Sequence, residues 1–347
     1  MSGLTLYVDG DRWRTHLHAV LERRPGLVPV AKGNGYGFGN GRLARRAQWL
    51  GVDTLAVGTY GEVADVAQRF DGDVLVLTPW RPGSPPPDDP RVIHTVSHVE
   101  DVRALAAVRG LAHPPRVVLE RMTSMRRHGL SGSGLGEASG LAHAAGLAVM
   151  GAALHLPLPT RSHHAEVDRL LTDVAAAGAT TVWLSHLTTD ELASLRARWP
   201  DLTFRPRVGT ELWLGDRRAL QVRASVLDVH PLGRGEAYGY RGRTASRNGH
   251  LVVVAGGTAH GIGLEAPTGE RSLRARAASL ARGGLDAAGF VRSPYTIGGK
   301  RRLFAEPPHM QASLLFLPAG APLPGVGDEV DVRVSHTTTR VDRVVID

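Results

Sequence analysis

Lys32 is one of only two lysines in the chain; the other is Lys300, and every remaining basic residue of fixed charge is an arginine. A general demand for positive charge therefore does not account for it. A primary amine condenses with an aldehyde to give an imine, a reaction closed to a guanidinium that stays protonated at any working pH. Carbonyl chemistry is the class of reaction that Lys32 opens. It follows the apolar, β-branched run LVPVA and precedes glycines at 33, 35, 37, 39 and 41. This pattern suits a buried parallel strand that ends at Lys32, in a turn whose backbone N–H groups can approach a phosphate. A flexible turn after a strand fits the same glycines. Neither a Walker A order nor GxGxxG is present, since the lysine precedes the glycines.

Further candidates lie downstream. Glu120 stands close in sequence to Arg121, Arg126 and Arg127, where a charge-assisted pair and an ordinary surface ion pair are both open. His155 closes the apolar run GAALH, and a histidine there is read equally as a satisfied core residue. His163 and His164 follow it, but no ligand spacing in the segment is diagnostic of a metal site.

Strand-like runs at Thr54–Gly58, Val74–Thr78, Val92–Val96, Arg116–Glu120, Leu147–His155, Thr181–Ser185 and Thr203–Val208 join the lysine strand to make eight. Helical stretches separate most of them, and a proline-rich loop spans Pro79 to Pro90. Eight such βα repeats over about 200 residues is what a (β/α)8 TIM barrel requires, with active residues at the C-terminal ends of its strands. Lys32 takes that position. A further short strand, Leu4 to Val8, precedes these repeats. From Leu220 the texture changes to Val-rich runs divided by Gly and Pro, which predicts an all-β domain. The expected division is 1–217 for the barrel and 218–347 for the β-strand domain.

The 347 residues suffice for two domains, and the net charge of +8 comes from scattered arginines with few aromatics, so nucleic acid is a poor partner. The chain has no cysteine, which leaves no disulfide framework, thiolate metal site or cysteine nucleophile. No signal-like N-terminus and no membrane-length apolar run is evident, so a soluble cytoplasmic protein is expected.

The spacing K-x-N-x-Y-G-x-G, seen as Lys32, Asn34, Tyr36, Gly37 and Gly39, resembles the cofactor-lysine motif of alanine racemases, which are fold-type III pyridoxal phosphate enzymes. Local resemblances run in the same order along nearly the whole chain, and barrel followed by β-domain is that family's architecture. The resemblance implies pyridoxal 5'-phosphate as cofactor, Lys32 as its Schiff-base lysine and Tyr36 as a ligand of its phosphate. Thr123, Met125, Arg127 and Gly129 resemble the segment whose arginine reaches the cofactor's phenolic oxygen or the substrate carboxylate. Glu120 takes the place of a lysine that the family often carbamylates, so a glutamate would supply the carboxylate facing Arg127. His155 resembles the histidine packed on the cofactor ring, and Ser185 with the backbone at Gly209 and Thr210 resembles the phosphate site. Arg207 would face the pyridine nitrogen.

In the β-domain, GRGEAYGY resembles the segment of the second catalytic base, which implies Tyr238 in that role with Tyr240 as competitor. Met310 resembles the methionine bordering the substrate pocket. Three departures stand out. The family's G-Y-A-D-G is GTAHG here, with Thr258 and His260 in place of tyrosine and aspartate. The segment Gly263 to Arg302 is longer than its counterpart and carries an Ala/Arg-rich stretch read as helical. The late pocket-entry tyrosine has no counterpart. The resemblance implies an amino-acid racemase of two bases, Lys32 and Tyr238, acting as a head-to-tail homodimer with shared sites. Alternatives are an idle or regulatory cofactor-binding homologue, or a fold-type III enzyme of another reaction, although the decarboxylases of that type rely on a cysteine that this chain lacks.

Overall fold

The computed structural model describes residues 3–158, 161–264 and 291–347. Two compact units divide it: Arg14–Gly215 forms one, and Met1–Trp13 with Asp216–Asp347 the other.

In the first unit, eight parallel strands close a barrel: β2 (Val28–Ala31), β3 (Thr54–Val57), β4 (Asp73–Val76), β5 (Val92–Val96), β6 (Arg116–Arg121), β7 (Ala148–Leu154), β8 (Thr181–Leu184) and β9 (Thr203–Val208). The pairs Val28↔Arg207 and Pro29↔Val208 join β9 back to β2 and seal it. These are the eight runs expected from sequence. Successive strand residues alternate between faces. Inward positions put Val28, Val30, Ala56, Leu75, Ile93, Val118, Ala153 and Trp183 in one dry interior cluster. Outward positions such as Val117, Leu119, Leu154, Val182 and Leu184 pack with Leu135, Leu170 and Leu192 of the helices Gly132–Ala144, His164–Ala176 and Thr189–Arg198. Strands apolar on both faces fit a sheet covered inside and out.

The second unit is built on an eight-stranded sheet. Its long strand β10 (Leu220–Leu232) pairs antiparallel with β13 (Gly249–Ala255) and β17 (Glu329–Val332), and β14 (Arg292–Ile297), β15 (Lys300–Phe304) and β16 (Ala312–Pro318) complete the antiparallel run. A small hairpin, β11 (Ala237–Tyr238) with β12 (Arg243–Thr244), stands apart from it. The N-terminal strand β1 (Leu4–Val8) belongs to this sheet, antiparallel to β10 and parallel to β18 (Arg343–Ile346). The physical reason is plain: a barrel closed by eight strands has no edge to offer a ninth. The helical stretch expected between Gly263 and Arg302 falls on residues 265–290, outside the described residues, and 292–304 form β14 and β15.

Leu6 at the centre of β1 is fully buried and is flanked in register by Val222 and Val344. Leu6→Ala should therefore cost about 2–5 kcal/mol through lost transfer energy and a residual cavity, read as a lowered urea midpoint.

Candidate active site

Two residues beyond the apolar interior layer, the same inward positions carry Lys32, Glu120, His155 and Ser185 at the C-terminal ends of β2, β6, β7 and β8, and Arg207 lies near the C-terminal end of β9. Lys32 reaches solvent, yet the surrounding barrel wall desolvates it. That desolvation, and then the charges of Arg127 and Arg207, hold its amine below the usual lysine range.

Arg207 is only 8% exposed. Its Nη2 donates to the Leu154 carbonyl at 3.2 Å, while its Nε has no acceptor. Burial brings its pKa down to about 10 and Glu120 opposes the fall, so it remains a cation at neutral pH. Glu120 is 3% exposed, and its Oε2 has no donor. Burial raises its pKa, against the pull of Arg207, Arg127 and Arg81. Arg127 stands exposed in the loop after β6 and acts on Glu120 through its charge. The mouth thus holds one buried carboxylate and one buried guanidinium, each with an unfilled hydrogen-bonding position.

His155 has its Nδ1 3.1 Å from Ser185 Oγ, which also accepts the Leu156 amide at 3.2 Å. Burial first, then Arg207 and Arg127, push His155 down to about 3, so its ring is neutral. Thr123 donates its hydroxyl to the His155 carbonyl at 2.6 Å and ties the Arg127 loop to this strand end.

The glycine loop folds to one purpose. Tyr36 is buried with φ 55, and an ideal Cβ on Gly209 would lie 2.1 Å from the Tyr36 hydroxyl oxygen. Only glycine admits that approach. Burial, with Glu62, pushes Tyr36 up to about 12, which keeps its hydroxyl a donor. Gly209 leads into a short helix, Thr210–Leu214, whose Trp213 donates to the Val30 carbonyl at 2.8 Å. The first turn of a helix leaves N–H groups without intrahelical acceptors, so Tyr36, Gly209 and Thr210 present donors together.

Glu62 was not singled out from the sequence. Its carboxylate accepts the amides of Gly33 at 2.7 Å and Gly58 at 2.7 Å, and so clamps the loops after β2 and β3 together. The pattern Thr59-x-x-Glu62, a capping box, was its legible signal. Among the described residues, the non-glycine positions of positive φ are Tyr36, Arg126 and His186, in the loops after β2, β6 and β8. Strained backbone of this kind is tolerated where surrounding contacts enforce it.

Tyr238, Tyr240 and Met310 lie in the second unit. Tyr238 is half-buried and donates to the Ala305 carbonyl at 3.3 Å, Tyr240 is 86% exposed and Met310 is 70% exposed. In the GTAHG segment, His260 accepts the Gly257 amide through Nδ1 at 3.2 Å, and its Nε2 lies 3.1 Å from Asp342. This histidine braces a turn. His163 and His164 lie 3.1 Å from the Pro157 carbonyl and 2.9 Å from Ser194 Oγ respectively. No group of three His, Asp or Glu among the described residues could hold a metal ion, and no helix among them is long and apolar enough to cross a membrane.

The family "Alanine racemase, N-terminal domain" matches residues 8–194. Comparison with curated protein sequences returns no match. Among solved structures, an alanine racemase from D-cycloserine-producing Streptomyces lavendulae is 22% identical, with TM-score 0.69 over 96% of this chain and 88% of that one. An alanine racemase of Clostridium difficile 630 is 15% identical, with TM-score 0.72 over 100% and 96%. A histidine racemase from Leuconostoc mesenteroides is also similar, at 15% identity and TM-score 0.69 over 99% and 98%. An alanine racemase from Bartonella henselae carries covalently bound pyridoxal phosphate, at 15% identity and TM-score 0.69 over 97% and 92%. At these identities the structures share the fold.

Because the cations of Arg127 and Arg207 oppose protonation of Lys32, Arg127→Met should raise the Lys32 pKa. The pH profile of Lys32 acylation, followed by peptide mass spectrometry, should then move to higher pH than in the wild type.

Proposed function

The chain belongs to the alanine racemase family, and on that premise we propose that it is a pyridoxal-phosphate-dependent amino-acid racemase in which Lys32 and Tyr238 serve as the two bases. The observation that carries this reading is the barrel mouth itself. A lysine whose amine is held below its usual range stands with a buried, cationic Arg207 whose Nε has no acceptor. An amine that loses its proton more readily is present as the free base in a larger fraction at neutral pH, and so is more available as nucleophile and as proton acceptor.

The donor set fits the cofactor. A ring nitrogen is an acceptor of the kind that Arg207 Nε lacks, and an anionic phosphate suits the donors at Tyr36, Ser185, Gly209 and Thr210. When bound, pyridoxal phosphate supplies an aldehyde for amines and a ring that withdraws electrons from an amino acid's Cα. Neutral His155 offers a flat face without placing a further cation beside Arg207 and Lys32. Arg207 keeps its own proton and would leave the ring nitrogen of a bound cofactor unprotonated, which would weaken the electron sink and favour return of the proton to Cα. Lys32 takes or gives that proton on one face and Tyr238 on the other, so removal on one side and return on the other inverts the centre. Arg127 orients the substrate carboxylate, and Met310 borders the pocket. The substrate is alanine or another small amino acid.

Incubation with pyridoxal phosphate and single enantiomers of the protein amino acids in deuterated water tests this. Deuterium entry at Cα with inversion is expected. Release of CO2 would assign a decarboxylase, and a spectral change without turnover a binding protein.

We further infer a homodimer with two-fold symmetry in which each subunit completes the other's site, since an isologous contact delivers the same patch to both. Lys32→Ala and Tyr238→Phe should each lose nearly all activity alone. Refolded together, they should regain part of it, because a mixed dimer contains one site with both residues. Mixed dimers without activity would place Tyr238 within its own subunit's site or outside the mechanism.

A further inference from the structure

In the second unit a cluster of side chains gathers around one buried carboxylate. Glu306 is 3% exposed, and its Oε1 lies 2.7 Å from His309 Nε2. Its Oε2 accepts the Tyr240 amide at 3.0 Å. Gly239, at φ 72, packs so tightly on this carboxylate that an ideal Cβ would fall 2.3 Å from Oε2. The Tyr240 ring covers the His309 ring with centroids 4.4 Å apart. From either arm of the β11–β12 hairpin, Tyr238 Oη and Arg243 Nη1 each donate to the Ala305 carbonyl at 3.3 Å.

The hairpin that carries Tyr238 is therefore fixed at its apex by Glu306 and along its arms by one carbonyl. Those arm contacts lie beyond the usual hydrogen-bond range, so they hold weakly. The short, buried contacts are those of Glu306. A carboxylate is costly to bury unless its oxygens find donors, and here the donors are the turn amide and an imidazole. A surface hairpin of two short strands needs no such anchor for solubility or burial; a hairpin that must hold one phenol at a fixed point does.

Resting on the assignment of Tyr238 as second base, we propose that Glu306 and His309 are positioning residues that hold the Tyr238 hairpin and thereby place its phenol for proton transfer. They touch neither substrate nor cofactor. Loosening the apex should slow proton delivery on one face while leaving Lys32 competent on the other.

The test uses the full chain with pyridoxal phosphate, in deuterated water, and both enantiomers of whichever amino acid the wild type turns over fastest. Glu306→Ala should lower kcat by about tenfold to a hundredfold, less than the roughly 10²–10⁴-fold that complete loss of a positioned acid–base group costs, and leave KM within about twofold. Exchange without inversion should persist from the enantiomer that Lys32 deprotonates, and Tyr238→Phe should give the same pattern more deeply. Amide hydrogen exchange across residues 237–244 should lose protection in Glu306→Ala and regain part of it in Glu306→Gln. Unchanged kcat and protection in Glu306→Ala, alongside a deficient Tyr238→Phe, would overturn the positioning role and leave the second-base reading intact. Equal loss of exchange from both enantiomers in Glu306→Ala would also overturn it, as a general structural defect. Intact inversion in Tyr238→Phe would overturn both.

Discussion

A guanidinium placed inside a barrel must be compensated, and at Arg207 that compensation sets the character of the whole mouth. Removing a charge from water costs several kcal/mol even after relaxation. Glu120, from the strand end of β6, opposes the fall that burial imposes on Arg207, and the charges of Arg207, Arg127 and Arg81 oppose the rise that burial imposes on Glu120. The same positive field reaches the neighbouring groups. Burial lowers Lys32 and His155 first, and this field lowers both further. A lysine disposed to give up its proton, a neutral imidazole and a permanent cation thus share one desolvated, positively charged setting.

Geometry makes that arrangement possible. Closure of eight parallel strands brings five chemically distinct side chains to one end, because alternation along each strand repeats the same inward face. The loops above are then fixed by polar contacts of high value. Glu62 draws the loops after β2 and β3 together, Thr123 ties the Arg127 loop to His155, and Trp213 fastens the Thr210–Leu214 helix to β2. Strained backbone at Tyr36, Arg126 and His186 is held by this framework.

The barrel was legible because its strands are apolar on both faces and separated by helical runs, a local pattern. The Lys32 motif was legible for a similar reason, since its lysine, tyrosine and glycines lie within a few residues. The membership of β1 was not, because pairing with β10 and β18 depends on contacts more than 200 residues away in sequence. Glu62 was readable only as a cap, and its clamp on Gly33 depends on how two βα loops meet. Glu120, expected from sequence to face Arg127, feels the charges of Arg207, Arg127 and Arg81, while its Oε2 has no donor and Arg127 is exposed. His260, which marks a departure from the family pattern, turns out to brace a turn on Asp342, a role invisible without the fold.

Borohydride reduction of the protein loaded with pyridoxal phosphate, followed by peptide mapping, tests the proposed bond between cofactor and Lys32, since the chain offers only Lys32 and Lys300 as lysines. A stoichiometric phosphopyridoxyl label on Lys32 is expected. A label on Lys300, or none at all, would rule out pyridoxal phosphate bound on Lys32.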